Sequence, residues 1–278
     1  MRVGLIGTGA MGEPVGHRLL AAGHDLGVFN RTPERADRLI AAGAQHATTP
    51  AEAVRGRDLV LTFLKDGDAV REVLRDAAST LRAGAILADL STTGPAFVRE
   101  LHSMVPAGVG VLDAPVLGSR AEAAAGRLQI LAGGAPADLE LARPVLEALG
   151  DVHHVGPAGT GAAAKLVANF ALLGTLAVLG ESVAFADALG VDRHAALETL
   201  SMSPLAEQAA KRQAALGGDS GQPRFTLALA AKDARLIGEA AAAAELSAPV
   251  AAAVQAKLDA AVDQGLGGAD YTAMLALR

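Results

Sequence analysis

The sequence contains no cysteine and no tryptophan, and aromatic residues make up only 3% of its 278 positions. A protein without cysteine forms no disulfide, has no thiolate nucleophile and binds no metal through cysteine sulfur. The seven histidines show no spacing typical of metal ligands. His153 and His154 are adjacent, so on a strand their side chains would point to opposite faces. We therefore expect no metal site.

Positive charge is not in excess either: the formal net charge is −6, with acidic and basic residues interspersed. This balance argues against nucleic acid or an anionic membrane as the main partner. The most apolar window, Leu166 to Gly180, contains Asn169 and is shorter than the about 20 apolar residues of a membrane span. The apolar run from Arg2 to Ile6 is too short for a signal-peptide core. We expect a cytoplasmic protein with a small-molecule substrate.

A glycine-rich turn follows the first apolar stretch of the chain. Arg2 to Ile6 has the pattern of a strand, and an amphipathic helix extends to Ala22 after the turn. Such a turn lets the backbone approach a pyrophosphate, with the helix N-terminus facing the phosphate charge. A purely structural glycine turn is the alternative. The motif predicts that a dinucleotide contacts Gly7, Thr8, Gly9, Ala10, Met11 and Gly12.

The second predicted strand, His24 to Phe29, ends in Asn30, Arg31 and Thr32. An acidic residue at this distance from the glycines would hold the ribose hydroxyls of NAD, and none is present. The guanidinium of Arg31 suits a phosphate, and Thr32 is expected to cap a helix that starts at Pro33. These residues favour NADP(H) over NAD. The alternative is that Arg31 is a solvated residue at a strand end.

Two later strands, Asp58 to Leu64 and Ile86 to Leu90, also end in polar residues. Ligands of open parallel sheets lie beyond the carboxyl ends of the strands. We therefore expect Leu64, Lys65 and Thr92 beside the ribose and nicotinamide. The alternative for Thr92 and Thr93 is capping of the helix before Pro95, and one of the two can cap while the other faces the ligand. A further strand, Val109 to Leu112, leads to Gly118 and Ser119, whose backbone N–H groups are expected to face a substrate anion.

The pattern of the chain changes near Val155. Strands alternate with helices before this residue, and every segment after it has a helical pattern, apart from a flexible loop expected over residues 217–221. This order predicts an α/β fold with an N-terminal Rossmann domain over residues 1–157. An all-α domain over residues 158–278 follows, joined through a long helix from about Ala162.

Two polar residues, Lys165 and Asn169, interrupt the apolar long helix. Their spacing of four places both side chains on one face, where both could donate to a carbonyl oxygen. The helix alone leaves open a second interpretation, in which Lys165 extends to solvent and Asn169 bonds to neighbouring backbone. On a later helix, which Phe225 is expected to open, Lys232 and Asp233 present a cation and an acid; a surface ion pair is the alternative there.

These motifs, in this order, resemble the β-hydroxyacid dehydrogenase family nearly from end to end. The resemblance implies that Lys165 is the catalytic acid/base, that Asn169 helps to hold the substrate, and that the active site lies between the two domains. It also implies a homo-oligomer, a dimer or a tetramer. Further residues implied to line the substrate are Thr92, Phe225, Lys232 and Asp233, and Thr92 and Lys232 are also expected to contact the cofactor.

Two departures from the family pattern concern the substrate. The family motif usually reads Asp-Ala-Pro-Val-Ser-Gly-Gly, but here Leu117 replaces its serine and Ser119 its last glycine. The order Gly118-Ser119-Arg120 is similar to the glyoxylate/succinic semialdehyde reductase branch. Without the serine hydroxyl, carboxylate binding is left to Gly118, Ser119, Arg120 and Lys232. Also, Ala168 stands where the family usually has a first asparagine before Asn169.

The predicted function is hydride transfer between NADP(H) and a small aldehyde acid or 3-hydroxy acid, with Lys165 as the general acid/base. Two alternatives remain open at this point. An imine reductase-like enzyme is favoured by the apolar Leu117. A non-catalytic NADP-binding module is disfavoured by the presence of Lys165, which such a module would be expected to lose.

Overall fold

The computed structural model describes residues 1–216, 221 and 223–277, so the loop predicted over 217–221 lies, except for Gly221, outside the described residues. The chain forms two compact units, Met1–Lys165 and Leu166–Arg278. The sequence pattern placed the boundary at 157/158. The compact units divide at 165/166, because the first turns of the long helix are hydrogen-bonded to the N-terminal unit through Asp113 and Val116.

Nine strands of the described residues form one sheet in the N-terminal unit. Their order is β3-β2-β1-β4-β5-β6-β8-β7, with β9 paired to β8. The first six strands in chain order are thus arranged 3-2-1-4-5-6 and pair in parallel, which is the order of a doubly wound dinucleotide-binding sheet. The strands are β1 (Arg2–Ile6), β2 (Asp25–Phe29), β3 (Gln45–His46), β4 (Leu59–Thr62), β5 (Ile86–Asp89), β6 (Gly110–Asp113), β7 (Val116–Leu117), β8 (Leu128–Gly133) and β9 (Gly150–Gly156).

Helices cover both faces of this sheet. Successive strand residues point to opposite faces, so Leu5 joins an apolar cluster with Leu19 of the first helix, whereas Ile6 joins a second cluster with Leu74. Burial on both faces explains why the central strands are continuous apolar runs. The α-helices of this unit are α1 (Gly12–Ala21), α2 (Asp37–Ala41), α3 (Pro50–Val54), α4 (Gly67–Ala77), α5 (Pro95–Met104), α6 (Arg120–Ala125) and α7 (Pro136–Leu146).

The C-terminal unit is helical in its described residues. The long helix α8 (Thr160–Ala188) begins in the N-terminal unit and is followed by α9 (Arg193–Ser201), α10 (Ala206–Lys211), α11 (Gln213–Leu216), α12 (Leu227–Ala243), α13 (Pro249–Asp263) and two 3-10 segments, Leu266–Gly268 and Tyr271–Ala276. Its core contains Leu176 of α8, Leu227 of α12 and Leu258 of α13. The predicted fold class, a Rossmann domain followed by a helical domain, is confirmed.

Several local predictions need correction. One helix was expected from Ala206 to Leu216, but Arg212, at φ −121° and ψ 22°, leaves the helical region and separates α10 from α11. Strands β3 and β7 were not predicted, because each is only two residues long and shows no alternation of apolar and polar side chains. The helix that Phe225 was expected to open begins two residues later, after Thr226.

The helix cap expected from Thr32 and the alternative cap from Thr93 are both absent from the described N-terminal unit. Thr32 occupies the cap position of the 3-10 turn Pro33–Arg35 but makes no side-chain cap bond, and the Asn30 amide holds this turn instead by donating to the Thr32 carbonyl. Helix α5 has Gly94, at φ 80°, in its cap position. Thr93 does not cap it, because the Thr93 hydroxyl donates to buried Asp89.

Helix α8 is long and apolar enough to cross a membrane by length and composition alone. The apolar window from Leu166 to Gly180 is shorter than a membrane span, but the helix that contains it extends to Ala188. Asn169, in the third turn of this helix, is buried and hydrogen-bonded to the side chain of Asp233 on α12. A buried and hydrogen-bonded amide is typical of a helix that packs against protein.

Candidate active site

The glycine turn between β1 and α1 has the backbone that its sequence requires. Gly7 has a φ of 101°, and its N–H donates to the carbonyl of Phe29 at 2.9 Å. A Cβ atom on Gly12 would lie 1.8 Å from the Gly7 carbonyl oxygen, so only glycine fits there. A Cβ atom on Gly9 would meet nothing within 4 Å, which leaves this side of the turn open.

The first turn of α1 is left uncapped by side chains. Met11 occupies the cap position without a side-chain hydrogen bond, and Glu13 is paired with Arg38 at 3.0 Å. Among the described residues no acceptor is bonded to the N–H groups of Ala10, Met11 or Gly12. Such N–H groups at a helix N-terminus suit an anion. This turn can therefore hold the phosphates of a dinucleotide.

Asn30 braces this turn from the end of β2. Its Oδ1 accepts from the Thr8 N–H at 3.1 Å, while its Nδ2 donates to the carbonyl of Thr32 at 2.9 Å. Arg31, beside it, is 77% exposed and lies 3.6 Å from a carboxylate oxygen of Glu72. Asn30 is thus a structural part of the turn, whereas the Arg31 guanidinium extends into solvent where it could meet a phosphate.

A buried carboxylate, Asp89, organises the carboxyl ends of β4 and β5. It accepts from the Thr62 hydroxyl at 2.7 Å, the Ser91 N–H at 3.1 Å and the Thr93 hydroxyl at 3.2 Å. Burial raises its pKa, although these hydrogen bonds oppose the shift. Sequence reasoning missed Asp89. Its position at a strand end, directly before a Ser-Thr-Thr run, was the available signal.

The residues predicted to meet ribose and nicotinamide lie next to this network. The Leu64 N–H donates to the Ser91 hydroxyl at 2.9 Å, so the ends of β4 and β5 are bonded together. Thr92 lies between Ser91 and Thr93 and is half-buried. Lys65 is exposed and pairs with Asp66 at 3.3 Å, while Asp66 caps α4.

The turn at Gly118 and Ser119 differs from what the sequence predicted. Ser119 and Glu122 form a capping box at the start of α6. The Ser119 N–H donates to Glu122 Oε2 at 2.8 Å, and its hydroxyl donates to the same oxygen at 2.5 Å. The expectation that the Ser119 N–H is an exposed donor was therefore wrong, because Glu122 occupies it. Leu117 is half-buried in β7, and Arg120 is exposed as the first residue of α6.

Lys165 lies near the start of α8, in the N-terminal unit. Its Nζ donates to the carbonyl of Val116 at 2.8 Å, and the residue is half-buried. Three residues before Val116, the buried Asp113 carboxylate accepts from the N–H groups of Gly159 and Ala162 at 2.8 and 2.7 Å. Burial raises the pKa of Asp113, and the bonds from Gly159 and Ala162 oppose this shift.

The C-terminal unit brings three of its predicted site residues together. Asn169 Nδ2 donates to Asp233 Oδ2 at 2.6 Å, and Lys232 Nζ lies 2.7 Å from Asp233 Oδ1. Asn169 and Asp233 are buried, so the carboxylate fixes the orientation of the amide. The alternative of a surface ion pair for Lys232 and Asp233 does not hold, since their side chains are only 19% and 3% exposed.

Phe225 lies outside this group of three residues. Its ring is tilted against that of Tyr271 with the centroids 5.3 Å apart, and its carbonyl accepts from the Tyr271 N–H at 2.7 Å. Phe225 is thus held by the C-terminal 3-10 segment of the chain.

His153 and His154 have separate partners. His153 Nε2 lies 2.7 Å from Gln129 Oε1, and His154 Nε2 lies 3.0 Å from the Gly134 carbonyl. The described ranges contain no group of three or more His, Asp or Glu side chains that could hold a metal ion.

The strand order and the uncapped glycine turn together define a dinucleotide-binding protein of the Rossmann class. Comparison with known proteins makes this assignment narrower. Residues 2–156 match the NAD binding domain of 6-phosphogluconate dehydrogenase, and residues 159–278 match the family described as NAD-binding of NADP-dependent 3-hydroxyisobutyrate dehydrogenase. The chain belongs to the β-hydroxyacid dehydrogenase family of NAD(P)-dependent oxidoreductases.

Relatives of known activity match over nearly their whole length. The chain is 32% identical to the NAD-dependent L-serine dehydrogenase of Pseudomonas aeruginosa, over 98% of this chain and 95% of the relative. It is 31% identical to the 3-sulfolactaldehyde reductase of Escherichia coli, over 98% and 94%. A structure of Mycobacterium tuberculosis 3-hydroxyisobutyrate dehydrogenase with L-serine is 29% identical, covers 99% of this chain and 98% of its own, and has a TM-score of 0.89.

Proposed function

We propose that this protein is an NADP(H)-dependent reductase of small aldehyde acids, which also oxidises the corresponding 3-hydroxy acids, with Lys165 as the general acid/base. The observation that carries this proposal is the half-buried Lys165, which lies one turn before Asn169 on α8. Its Nζ donates to the Val116 carbonyl. Bound NADPH supplies the hydride for the carbonyl carbon.

The protein residues act on the oxygen of that carbonyl. Negative charge develops on this oxygen during reduction, and an ammonium group beside an amide donor stabilises it. The Lys165 ammonium then gives the oxygen a proton, and in oxidation the neutral amine takes the proton back. Asp233 supports this step by holding the Asn169 amide through its Nδ2. An apolar side chain at position 117 leaves the substrate carboxylate to other donors, among them Arg120 and Lys232.

Preference for NADP(H) is the finer part of the proposal. It rests on the exposed Arg31 at the end of β2, where the chain has no acidic residue for the ribose hydroxyls. The relative from P. aeruginosa is NAD-dependent by name, so cofactor choice varies among proteins similar to this chain.

Assembly into a homo-oligomer is supported by the outer surface of α8. Val178 and Phe185 lie on one side of this helix and are 51% and 65% exposed, and Leu189, directly after the helix, is 65% exposed. A second copy of the chain is the occupant that we propose for this apolar stripe. Light scattering should show a dimer or tetramer that Phe185→Glu dissociates. The control Leu141→Glu, at an exposed leucine of α7, should leave the assembly unchanged.

We further propose that the protein acts in the cytoplasm on a small molecule, with neither nucleic acid nor a membrane as partner. The net charge of −6 and the interspersed acids and bases support this.

The test of the chemistry combines turnover with cofactor binding. Lys165→Met should lower kcat by about 10²–10⁴-fold in both directions, because general acid/base help of this size is lost. Fluorescence titration should show unchanged NADPH binding. The control Lys257→Met removes a lysine paired with Glu181 in the C-terminal unit and should keep full activity. A Lys165→Met variant that retains most of its turnover would overturn the mechanism.

The substrate class is tested with a panel followed by NADPH consumption. Glyoxylate and succinic semialdehyde represent aldehyde acids, and a cyclic imine represents the substrates of an imine reductase. Turnover of the imine alone would favour the imine reductase-like alternative. NADPH binding without turnover of any panel member would favour a non-catalytic module.

A further inference from the structure

The N-terminus of α8 has no capping side chain of its own. The residue before the helix is Gly159, at φ 91°, which offers no side-chain acceptor to the first N–H groups. The acceptor comes instead from Asp113, 46 residues earlier, at the end of β6. Its carboxylate accepts from Gly159 at 2.8 Å and from Ala162 at 2.7 Å. A strand residue thus caps the longest helix of the described chain.

Glycines allow this helix start to lie directly on the sheet. A Cβ atom on Gly161 would lie 2.2 Å from the Leu131 carbonyl oxygen and 2.5 Å from that of Asp113. A Cβ atom on Gly133 would lie 2.7 Å from Asp113 Oδ1 and from the Gly161 nitrogen. The first turn of α8 therefore has little room to slide or rotate on β6 and β8.

Lys165 lies about one and a half turns from this anchored start. Val116, whose carbonyl accepts from Lys165 Nζ at 2.8 Å, follows Asp113 by three residues. The short segment from Asp113 to Val116 thus contacts α8 at its first turn and again at the lysine. A slide of one residue along a helix axis moves a side chain by about 1.5 Å and rotates it by about 100°.

We infer that Asp113 is a positioning residue, whose carboxylate sets the start of α8 and thereby the place of the Lys165 ammonium. This inference rests on the proposed role of Lys165. The cap carries a negative charge at the positive end of a long helix, which favours it electrostatically. A misplacement of about 1 Å can cost about 10²-fold in rate, so loss of this anchor should reduce the chemical step more than binding.

The test variant is Asp113→Asn. A neutral amide accepts only through Oδ1, so its NH₂ group would face one of the two N–H donors and the cap would be broken on that side. We expect kcat per NADPH-binding site to fall by about 10–100-fold. The NADPH dissociation constant should stay within about twofold, because α1 and its turn are unchanged.

Lysine NMR gives a readout that does not depend on activity. The chain has five lysines, so isotope-labelled lysine side chains give five signals, and the Lys165 signal is identified as the one lost in Lys165→Met. In Asp113→Asn we expect this signal to shift while the other four stay in place.

Asp89→Asn is the matched control for stability. Asp89 is the register partner of Asp113 on β5, is equally buried, and binds Thr62, Ser91 and Thr93 rather than α8. Its substitution should lower the thermal midpoint and leave the Lys165 signal unshifted.

The outcomes distinguish the positioning role of Asp113 from the acid/base role of Lys165. An unshifted Lys165 signal and an unchanged kcat in Asp113→Asn would overturn the positioning role, whatever happens to stability. Full turnover in Lys165→Met would overturn the proposed mechanism but would not affect the NMR result. If Asp113→Asn does not fold, Gly161→Ala displaces the same helix start and should give the same lower kcat, shifted signal and normal NADPH binding.

Discussion

Helices α1 and α6 both begin after a strand and a glycine-containing turn, but their first turns are different. At α1 no side chain caps the helix, and the first-turn acid Glu13 points away to Arg38. At α6 the Ser119 N–H and hydroxyl are both bound to Glu122, three residues further on. One turn leaves its N–H groups available to a ligand, and the other binds a carboxylate of its own chain.

This difference shows that a glycine before a helix does not by itself make an anion site. The N–H groups of the first helical turn must also be left without a partner from the same chain. The Ser-x-x-Glu sequence at 119–122 is a capping box, a pattern that can be recognised without a structure. A substrate carboxylate at Ser119 has to compete with Glu122.

The largest expected effect comes from the turn of α1. Gly12→Ala should destabilise the fold by about 1–3 kcal/mol or more and abolish NADPH binding, because the new Cβ would collide with the Gly7 carbonyl oxygen. Gly9→Ala is the matched variant. Its Cβ meets nothing, so stability should change by less than about 0.5 kcal/mol. Titration calorimetry should nevertheless show NADPH binding weakened about tenfold or more, since a pyrophosphate approaches there. Normal NADPH binding by Gly9→Ala would mean that the phosphates lie elsewhere.

The second prediction concerns Arg31, which extends from the strand beside this turn. Arg31→Ala should weaken NADPH binding by about 1.5–3 kcal/mol, which is about 10–150-fold, through loss of a charge-assisted hydrogen bond. NADH binding should not change. Dissociation constants for both cofactors provide the measurement, and Arg55→Ala, an exposed arginine after α3, is the charge control. A wild-type protein that uses NADH as well as NADPH would refute the preference.

The third prediction tests whether the turn of α6 resembles that of α1 once its acid is removed. Glu122→Gln keeps the hydrogen-bonding shape of the capping box but removes the negative charge. We expect the KM for an anionic aldehyde acid to fall about two- to fivefold, as estimated for one charge at a helix N-terminus. The KM for an uncharged aldehyde should not change. Glu147→Gln, at the end of α7, is the control, and an unchanged KM in Glu122→Gln would place the substrate anion away from α6.

The smallest expected effect is the pH dependence of the stability that the Ser119–Glu122 capping box provides. Hydrogen bonds from the Ser119 hydroxyl and N–H hold the pKa of Glu122 below its ordinary value of 4.5. The folded state therefore favours the carboxylate, and the stability that this provides is present above pH 4.5 and lost as the pH falls. Urea unfolding should show the stability difference between wild type and Glu122→Gln constant near neutral pH and shrinking below about pH 4.5. A difference that does not depend on pH would contradict the capping role.

Much of the fold could be read from local patterns. Apolar runs predicted the central strands of the sheet to within two residues at each end, because burial on both faces demands uninterrupted apolar side chains. The two-residue strands β3 and β7 could not be found, since pairing with neighbours creates them rather than any pattern of their own. The expected cap at Thr32 was wrong, and Thr93 does not cap α5, because Asn30 and Asp89, neither of them adjacent in sequence to the residue it binds, determine the hydrogen bonds there.

The sequence by itself determined the strand–turn–helix at Gly7 to Gly12, the change to helices after Val155, and the spacing of Lys165 and Asn169. Each of these depends on residues within a few positions of one another, where backbone geometry relates sequence directly to structure. Only the tertiary structure decided which carboxylates form hydrogen bonds with the residues of the site. Asp113 caps α8 from 46 residues away, and Asp233 reaches Asn169 across 64 residues. Such contacts form because burial leaves a carboxylate no water to bind, so it must accept from whichever donors the packed chain brings to it.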